Sequence, residues 1–424
     1  HCGAVLDYVV IVGADWSGDL EVTLENSDND AMALEGLSSK NVYVVGLGRS
    51  GVSVAETLTQ AGAKVFAWDD DANKRLVDVL ASKNIHVQAP DDVAWEDIAF
   101  VFKSPGVPMD VPAITKALDK GRDIRSDADL LFLREEGTKN SFIGITGTNG
   151  KSTATALMGH VLKTAKKKVA VGGNIGEPML NLPRLGRHGF YVLELSSFQL
   201  ENTHSAVMDG AILLNLTPDH LDRHKSVEGY LAAKMKIFER QQAGQRGVIG
   251  IDDDVLAAAV KELKGKAEAD ILTLSLSGKK ADIQVSPKGD LTFKGKKVGT
   301  ISGYENLRGP HNWQNIAAVW GIAEKYVTFK QFEKALKTFV GLPHRMEKVA
   351  TCNGVTFVND SKATNPDAAI KALETYKNIY WIAGGVEKAE GLTPCFAHSE
   401  NVRGVFLIGE KATPMSQQVE QAGA

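Results

Sequence analysis

Cysteine is scarce in this chain. Cys2, Cys352 and Cys395 are the only ones in 424 residues, too few and too scattered for a disulfide framework or a zinc site. Long apolar runs are missing too: none approaches the roughly 18 residues needed to cross a bilayer, so membrane insertion is not expected. Positive charge is not in excess. The formal net charge of −4 argues against a general nucleic-acid binder. No internal repeat or low-complexity tract appears. Before Lys40 there is no Lys or Arg at all, while Asp7, Asp15, Asp19, Glu21, Glu25, Asp28, Asp30 and Glu35 accumulate. The short apolar run Tyr8 to Val12 therefore lacks the basic lead of a signal peptide. Residues 1–37 read as an acidic extension, flexible or extraneous to the fold. A monomer in a reducing cytoplasm is expected.

What is present is a soluble-type composition, 43% apolar and 24% charged, with length for two or three domains. One stretch organises the rest: Ile143-Gly-Ile-Thr-Gly-Thr-Asn-Gly-Lys-Ser-Thr153. It reads as a buried strand, a glycine-rich turn and the start of a helix whose apolar face is Ala154, Leu157, Met158, Val161 and Leu162. Gly147 and Gly150 permit a tight turn with Thr148 and Asn149 between them, so that backbone N–H groups converge on one anion. The helix N-terminus adds roughly half a positive charge there. Lys151 supplies a full charge for outer phosphates, and Ser152 or Thr153 a hydroxyl for Mg²⁺. This is a phosphate-binding turn, and ATP is the expected ligand.

From Asn41 onward, strands and helices alternate. A strand Asn41 to Val45, the turn Gly46-Leu-Gly-Arg-Ser-Gly51, a helix and a second strand ending at Asp69 make a dinucleotide fingerprint. By itself it would suggest NAD, although the same turn receives any diphosphate. The strand Ile98 to Phe102 runs into Ser104-Pro-Gly-Val-Pro108, a rigid loop at a strand's carboxyl end. Gly172-Gly-Asn-Ile-Gly176 could present Asn174 to a ligand. Glu194 ends a core strand, where a carboxylate needs a cation. Thr217-Pro-Asp-His-Leu-Asp-Arg-His224 has the composition of a metal site, with His220 the best ligand candidate. Lys234 lies in a helix, where a lysine is ordinarily a solvated surface residue. Residues 271–293 suggest a small β-rich excursion, and three further strands after Gly341 suggest a thin, incomplete doubly wound sheet.

These pieces occur in one order over residues 38 to 424, and the assembly resembles the Mur ligases. The shortened turn Gly147–Thr153 is shared with them and with folylpolyglutamate synthetases, both ATP-dependent amide-forming enzymes. Glu194-Leu-Ser-Ser-Phe-Gln199, Asn215–His220, His311-Asn-Trp-Gln-Asn315 and His344-Arg345 belong to the same pattern, and Asn359-Asp-Ser-Lys-Ala-Thr-Asn365 resembles its D-glutamate-adding branch. The resemblance implies an α/β chain of three domains. These would be a Rossmann-like unit over 38–130, a P-loop ATPase-like central parallel sheet over 131–341, and a Rossmann-like unit over 342–424 that looks truncated.

Carried over by position, the resemblance implies an ATP and metal site at Gly147, Thr148, Asn149, Gly150, Lys151, Ser152 and Thr153. Asn312 and Asn315 would contact adenine, with Arg345 and Asp360 on the rest of the nucleotide. Catalytic roles fall on Lys151, Glu194, His220, Lys234 and Lys362. Ser152, Glu194, His220 and Lys234 would attend two Mg²⁺, with CO₂ held as a carbamate on Lys234. Gly48, Arg49, Ser50, Asp69, Ser104, Pro105, Gly106 and Asn174 would hold the uridine sugar nucleotide, UDP-N-acetylmuramoyl-L-alanine. Lys362, Thr364 and Lys388 would hold D-glutamate. Three departures stand out. Asp70 follows the uracil-site acid where a small hydroxyl residue is usual, the extension 1–37 has no counterpart, and a further carboxy-terminal stretch with serine and aromatic residues is unmatched. The alternatives are a sibling amide ligase, an NAD-dependent oxidoreductase built on Gly46–Gly51, and an inert nucleotide-binding fragment.

Overall fold

The computed structural model describes residues 8–12, 34, 36–363, 365–384, 392–409 and 412–421. Val42 to Val45 are all buried, as expected of a strand covered on both faces, and Asn41–Val45 is the middle of a five-stranded parallel sheet. Its order is Ile85–Val87, Lys64–Trp68, Asn41–Val45, Ile98–Lys103, Asp123–Arg125. The winding reverses between Asn41–Val45 and Ile98–Lys103, so the turns beginning at Gly46 and Ser104 leave adjacent strand ends and a crevice opens between them.

The second sheet has nine strands. Their order is Lys296–Thr300, Asp290–Phe293, Ile283–Val285, Asp270–Ser275, Arg246–Gly250, Gly210–Leu213, Ser141–Thr146, Phe190–Glu194, Val169–Gly173. The segments expected as a separate β-rich excursion instead prolong this sheet, whose edge turns antiparallel at Asp290–Phe293 and Lys296–Thr300. Helices Lys151–Thr164 and Pro310–Ala323 pack on one face, where Leu157, Met158 and Val161 meet Ile316, Val319 and Trp320 in one apolar cluster. Burying such side chains is worth about 1.5–3 kcal/mol each as an upper estimate. That packing fixes the helix carrying Lys151 to the strand that precedes it.

The third sheet corrects the reading of the amino-terminal residues. Its order is Glu347–Cys352, Val355–Asn359, Tyr8–Val12, Ile379–Gly384, Val402–Ile408. Tyr8–Val12 lies parallel between two carboxy-terminal strands, pairing Tyr8 with Thr356 and with Ile379. An apolar run of five residues with no basic lead is an interior strand here, and Leu34 and Leu37 are buried against the first unit. The expectation that residues 1–37 stand apart from the fold therefore fails at these positions. Among the described residues five strands, rather than three, make the sheet. Among the described residues no helix is long and apolar enough to cross a membrane.

Candidate active site

Two glycines set the phosphate-binding turn. Gly147 and Gly150 have φ of +154° and +84°, and a Cβ on Gly150 would stand 2.3 Å from Asn315 Oδ1. The turn is braced from the next strand end: Asn149 N–H donates to Asn215 Oδ1 (2.9 Å), and Asn215 Nδ2 donates to Asn149 O and Gln314 Oε1. Thr148 Oγ1 donates to Thr217 O and accepts from Thr217 N–H. With the turn held this way, its free N–H groups and the helix N-terminus face one space.

Two lysines converge on the turn. Lys151 Nζ donates to the carbonyls of Gly147 and Thr148 (3.0 and 2.8 Å), and Lys234 Nζ donates to Gly147 O (2.8 Å) and to Thr146 Oγ1 (3.3 Å). Lys234 is 1% exposed, so the ordinary expectation for a helical lysine is overturned. Burial first, and then the nearby charge of Lys151, hold its amine well below the usual lysine range. Lys151 is also pulled down by burial, against Glu194, which favours its charge. Glu194 is 2% exposed, so its carboxylate is taken out of solvent at the strand end. Its Oε1 accepts from Asn174 Nδ2 (2.7 Å), while its Oε2 is buried without a partner.

Two crevices share Asn149, Gly150 and Arg345 at this centre, and a third includes Asn174, which donates to Glu194. The smallest, about 190 Å³, is lined by Thr148, Asn149, Gly150, Lys151 and Ser152, with Asp219, His220, Arg345 and Lys362 opposite. His220 sits at its rim with φ +53° and its ring 3.5 Å from Asp219 Oδ2. A second crevice, about 510 Å³, takes in Asn149, Gly150, Thr153, Asn312, Asn315, Arg345 and Asp360. Asn315 Oδ1 and Arg345 Nε are buried there without partners. Burial pushes the Asp360 carboxyl up to about 7, against the hydrogen bond from Met346 N–H and the charge of Arg345. Burial drives the His311 imidazole down to about 4, so it is neutral at pH 7.

The third crevice, about 540 Å³, lies between the first two sheets and gathers Gly48, Arg49, Ser50, Asp69, Ser104, Pro105, Gly106 and Asn174. Asp69 Oδ2 accepts from Leu47 N–H (2.7 Å), Ser104 Oγ donates to Gly46 O (2.8 Å), and Arg49 Nη2 donates across to Gly176 O (2.9 Å). All eight residues expected around a sugar nucleotide share this space. Thr364 and Lys388 lie outside the described residues.

The MurD-like amino-terminal domain of the Mur ligases matches residues 40–126, the Mur ligase middle domain residues 145–323, and the glutamate ligase domain residues 344–424. The chain is 41% identical over 379 residues to the UDP-N-acetylmuramoylalanine–D-glutamate ligase of Paramagnetospirillum magneticum, covering 88% of this chain and 82% of that one. It belongs to the Mur ligase family, as a ligase of the MurD type. The enzyme of the same name from Wolbachia pipientis is 34% identical over 446 residues, covering 92% and 86%. In fold, the chain is similar to UDP-N-acetylmuramate–alanine ligase MurC from Thermotoga maritima, with a TM-score of 0.57 at 19% identity over 91% of this chain and 89% of that one. MurF ligase from the same organism, solved in complex with ADP, gives 0.55 at 17% over 90% and 84%.

In this Mur ligase the residues that bare pattern reading left without a role are those that brace others. Asn215 and Gln314 hold the turn, and Asp219 and Asn365 line the phosphate crevice. Asn215 had a signal, as the first residue of the Asn215–His220 motif shared with the Mur ligases. Asp219 had one in the Asp- and His-rich loop Thr217–His224, and Asn365 one as the last residue of the Asn359–Asn365 motif, though neither fixed a role.

Among the described residues no three His, Cys, Asp or Glu side chains converge as a metal cage. A hydrated divalent cation completed by phosphate oxygens needs fewer protein ligands. The unpartnered Glu194 Oε2 beside two lysines suits that case.

Proposed function

We propose that this chain joins D-glutamate to UDP-N-acetylmuramoyl-L-alanine with cleavage of ATP, in peptidoglycan synthesis. The observation that carries the reading is the small crevice at the P-loop. It holds Lys151, Ser152 and His220 opposite Arg345 and Lys362, with a nucleotide-sized crevice beside it and a larger one beginning at Asn174. On this reading the third crevice holds the uridine sugar nucleotide, the second holds ATP, and the smallest is where they react.

The carboxylate of the alanyl substrate attacks the γ-phosphorus, and ADP leaves with the electron pair of the broken bond. The amine of D-glutamate then adds to the acyl phosphate, and phosphate leaves as the amide forms. A carboxylate approaching a phosphate at about 4 Å is repelled by about 4 kcal/mol per charge pair at an effective dielectric of 20. Lys151, Arg345 and the helix N-terminus offset that repulsion where it arises. Ser152, Glu194 and His220 would hold two Mg²⁺, which supply further charge neutralisation and orient the phosphates. Lys234 suits carbamate formation because burial favours its neutral amine, whose lone pair can add to CO₂ with loss of a proton. Lys362 lies where it can steady the phosphate that departs, and Thr364 and Lys388 are proposed contacts of D-glutamate.

The test is phosphate release from ATP with the sugar-nucleotide substrate, Mg²⁺ and bicarbonate, comparing D-glutamate, L-glutamate and L-lysine. Release with D-glutamate alone is the expected result. Release with another amino acid would assign the chain to a sibling ligase.

A further inference from the structure

One backbone carbonyl ties the third crevice to the loop that carries His220. Val107 belongs to the Ser104–Pro108 turn, and its carbonyl accepts from Lys103 Nζ at 2.8 Å and from Arg223 Nη2 at 3.0 Å. Arg223 sits three residues after His220, in the short helix Leu221–His224. Its guanidinium also donates to Glu201 Oε2 at 2.7 Å and lies over the Phe198 ring, 5.4 Å from its centroid. Phe198 touches the His220 ring at 5.0 Å and stacks on His224 at 5.4 Å, and His224 Nε2 lies 2.9 Å from Ser197 Oγ.

The arrangement is over-determined. A planar guanidinium that serves two acceptors while stacked on a ring has one geometry, which an ammonium cannot reproduce. On the other side of the carbonyl, Lys103 is 1% exposed and donates as well to Ser104 O. Burial and Arg223 oppose its charge while Glu201 and Asp127 favour it, leaving its amine at about 8. Asp127 accepts from Gln199 Nε2, and Gln199 lines the third crevice. A shift of Val107 by about 1 Å would break a charge-assisted hydrogen bond or move the His220 helix with it.

We propose that Arg223 is a positioning residue that couples the third crevice to the small crevice lined by Lys151, Ser152 and His220, where the outer phosphates of ATP would lie, so that sugar nucleotide and ATP tighten each other's binding. This rests on the reading that the third crevice takes the uridine sugar nucleotide and the second takes ATP. The experiment is calorimetric titration of UDP-N-acetylmuramoyl-L-alanine with and without saturating AMP-PNP and Mg²⁺. It is run on the wild-type chain and on Arg223→Met, Arg223→Lys and Glu201→Gln.

The wild type should bind the sugar nucleotide about fivefold or more tightly when AMP-PNP is present. Arg223→Met should bind each ligand alone and lose the enhancement. Arg223→Lys and Glu201→Gln should keep part of it, and they decide the matter if Arg223→Met does not fold. Full enhancement in any Arg223 variant, or a wild type that binds both ligands without enhancement, would overturn the coupling alone. A wild type that binds neither nucleotide would overturn the assignment of the crevices, and the coupling with it.

Discussion

The chain contains two glycine-rich turns at the carboxyl ends of parallel strands, Gly46–Gly51 and Gly147–Gly150, each opening a helix. Their backbones answer the same demand by different packing. A Cβ on Gly51 would lie 1.8 Å from Gly46 O, within the turn itself, whereas one on Gly150 would meet Asn315 Oδ1 on another helix. Their charges differ more. At the first turn an acid, Asp69, takes the Leu47 N–H, and Arg49 reaches away to Gly176 O. At the second, Lys151 and Lys234 both point their amines at the Gly147 carbonyl. On the proposed reading the first receives a diphosphate whose ribose or base meets an acid, and the second a triphosphate. The comparison teaches that a phosphate-binding turn takes its ligand from the strand ends beside it rather than from its own glycines.

The largest expected effect breaks the charge of the second turn. Lys151→Ala should slow phosphate release by about 10²–10³-fold, while sugar-nucleotide affinity measured by calorimetry stays near that of the wild type. Alanine in the turns should separate them next. Gly150→Ala, strained at φ +84° and crowding Asn315, should weaken AMP-PNP binding about tenfold or more without changing sugar-nucleotide binding. Gly51→Ala should instead destabilise the first unit by about 1–3 kcal/mol, read as a lower melting temperature. Asp69→Asn keeps the shape and removes the charge from the hydrogen bond to Leu47. It should weaken the sugar nucleotide about tenfold and leave AMP-PNP alone.

The smallest effect is a pH dependence in the second crevice. The folded chain holds the Asp360 proton up to about 7, above the ordinary aspartate value of 3.8. Between those values the folded state binds more protons than the unfolded one, so stability falls as pH rises from about 4 to about 7 and then levels. The melting temperature of the wild type relative to Asp360→Asn should therefore decline from pH 5 to pH 8. A difference that rises over that range would contradict the assigned burial.

Much of this was legible in the sequence. The strand–turn–helix around Lys151 shows itself through apolar spacing, and the turns at Gly46 and Ser104 share one space because strand ends at a reversal of winding share one edge, with Asn174 added from the neighbouring sheet. Lys234 was not legible from its helix, since its burial depends on Thr146 and Gly147 arriving from a distant strand and turn. Tyr8–Val12 misled for a related reason. An isolated apolar run carries no mark of its partners, and those partners lie some 350 residues away, at Val355–Asn359 and Ile379–Gly384. The bracing residues Asn215, Gln314 and Arg223 act through hydrogen bonds between distant segments, which local periodicity does not record.

The most direct test of two turns with two ligands is a titration of the wild-type chain with AMP-PNP and Mg²⁺ after saturation with UDP-N-acetylmuramoyl-L-alanine. One further equivalent of AMP-PNP should bind with the sugar nucleotide still in place. Displacement of the sugar nucleotide by AMP-PNP would mean one shared site and would contradict the account.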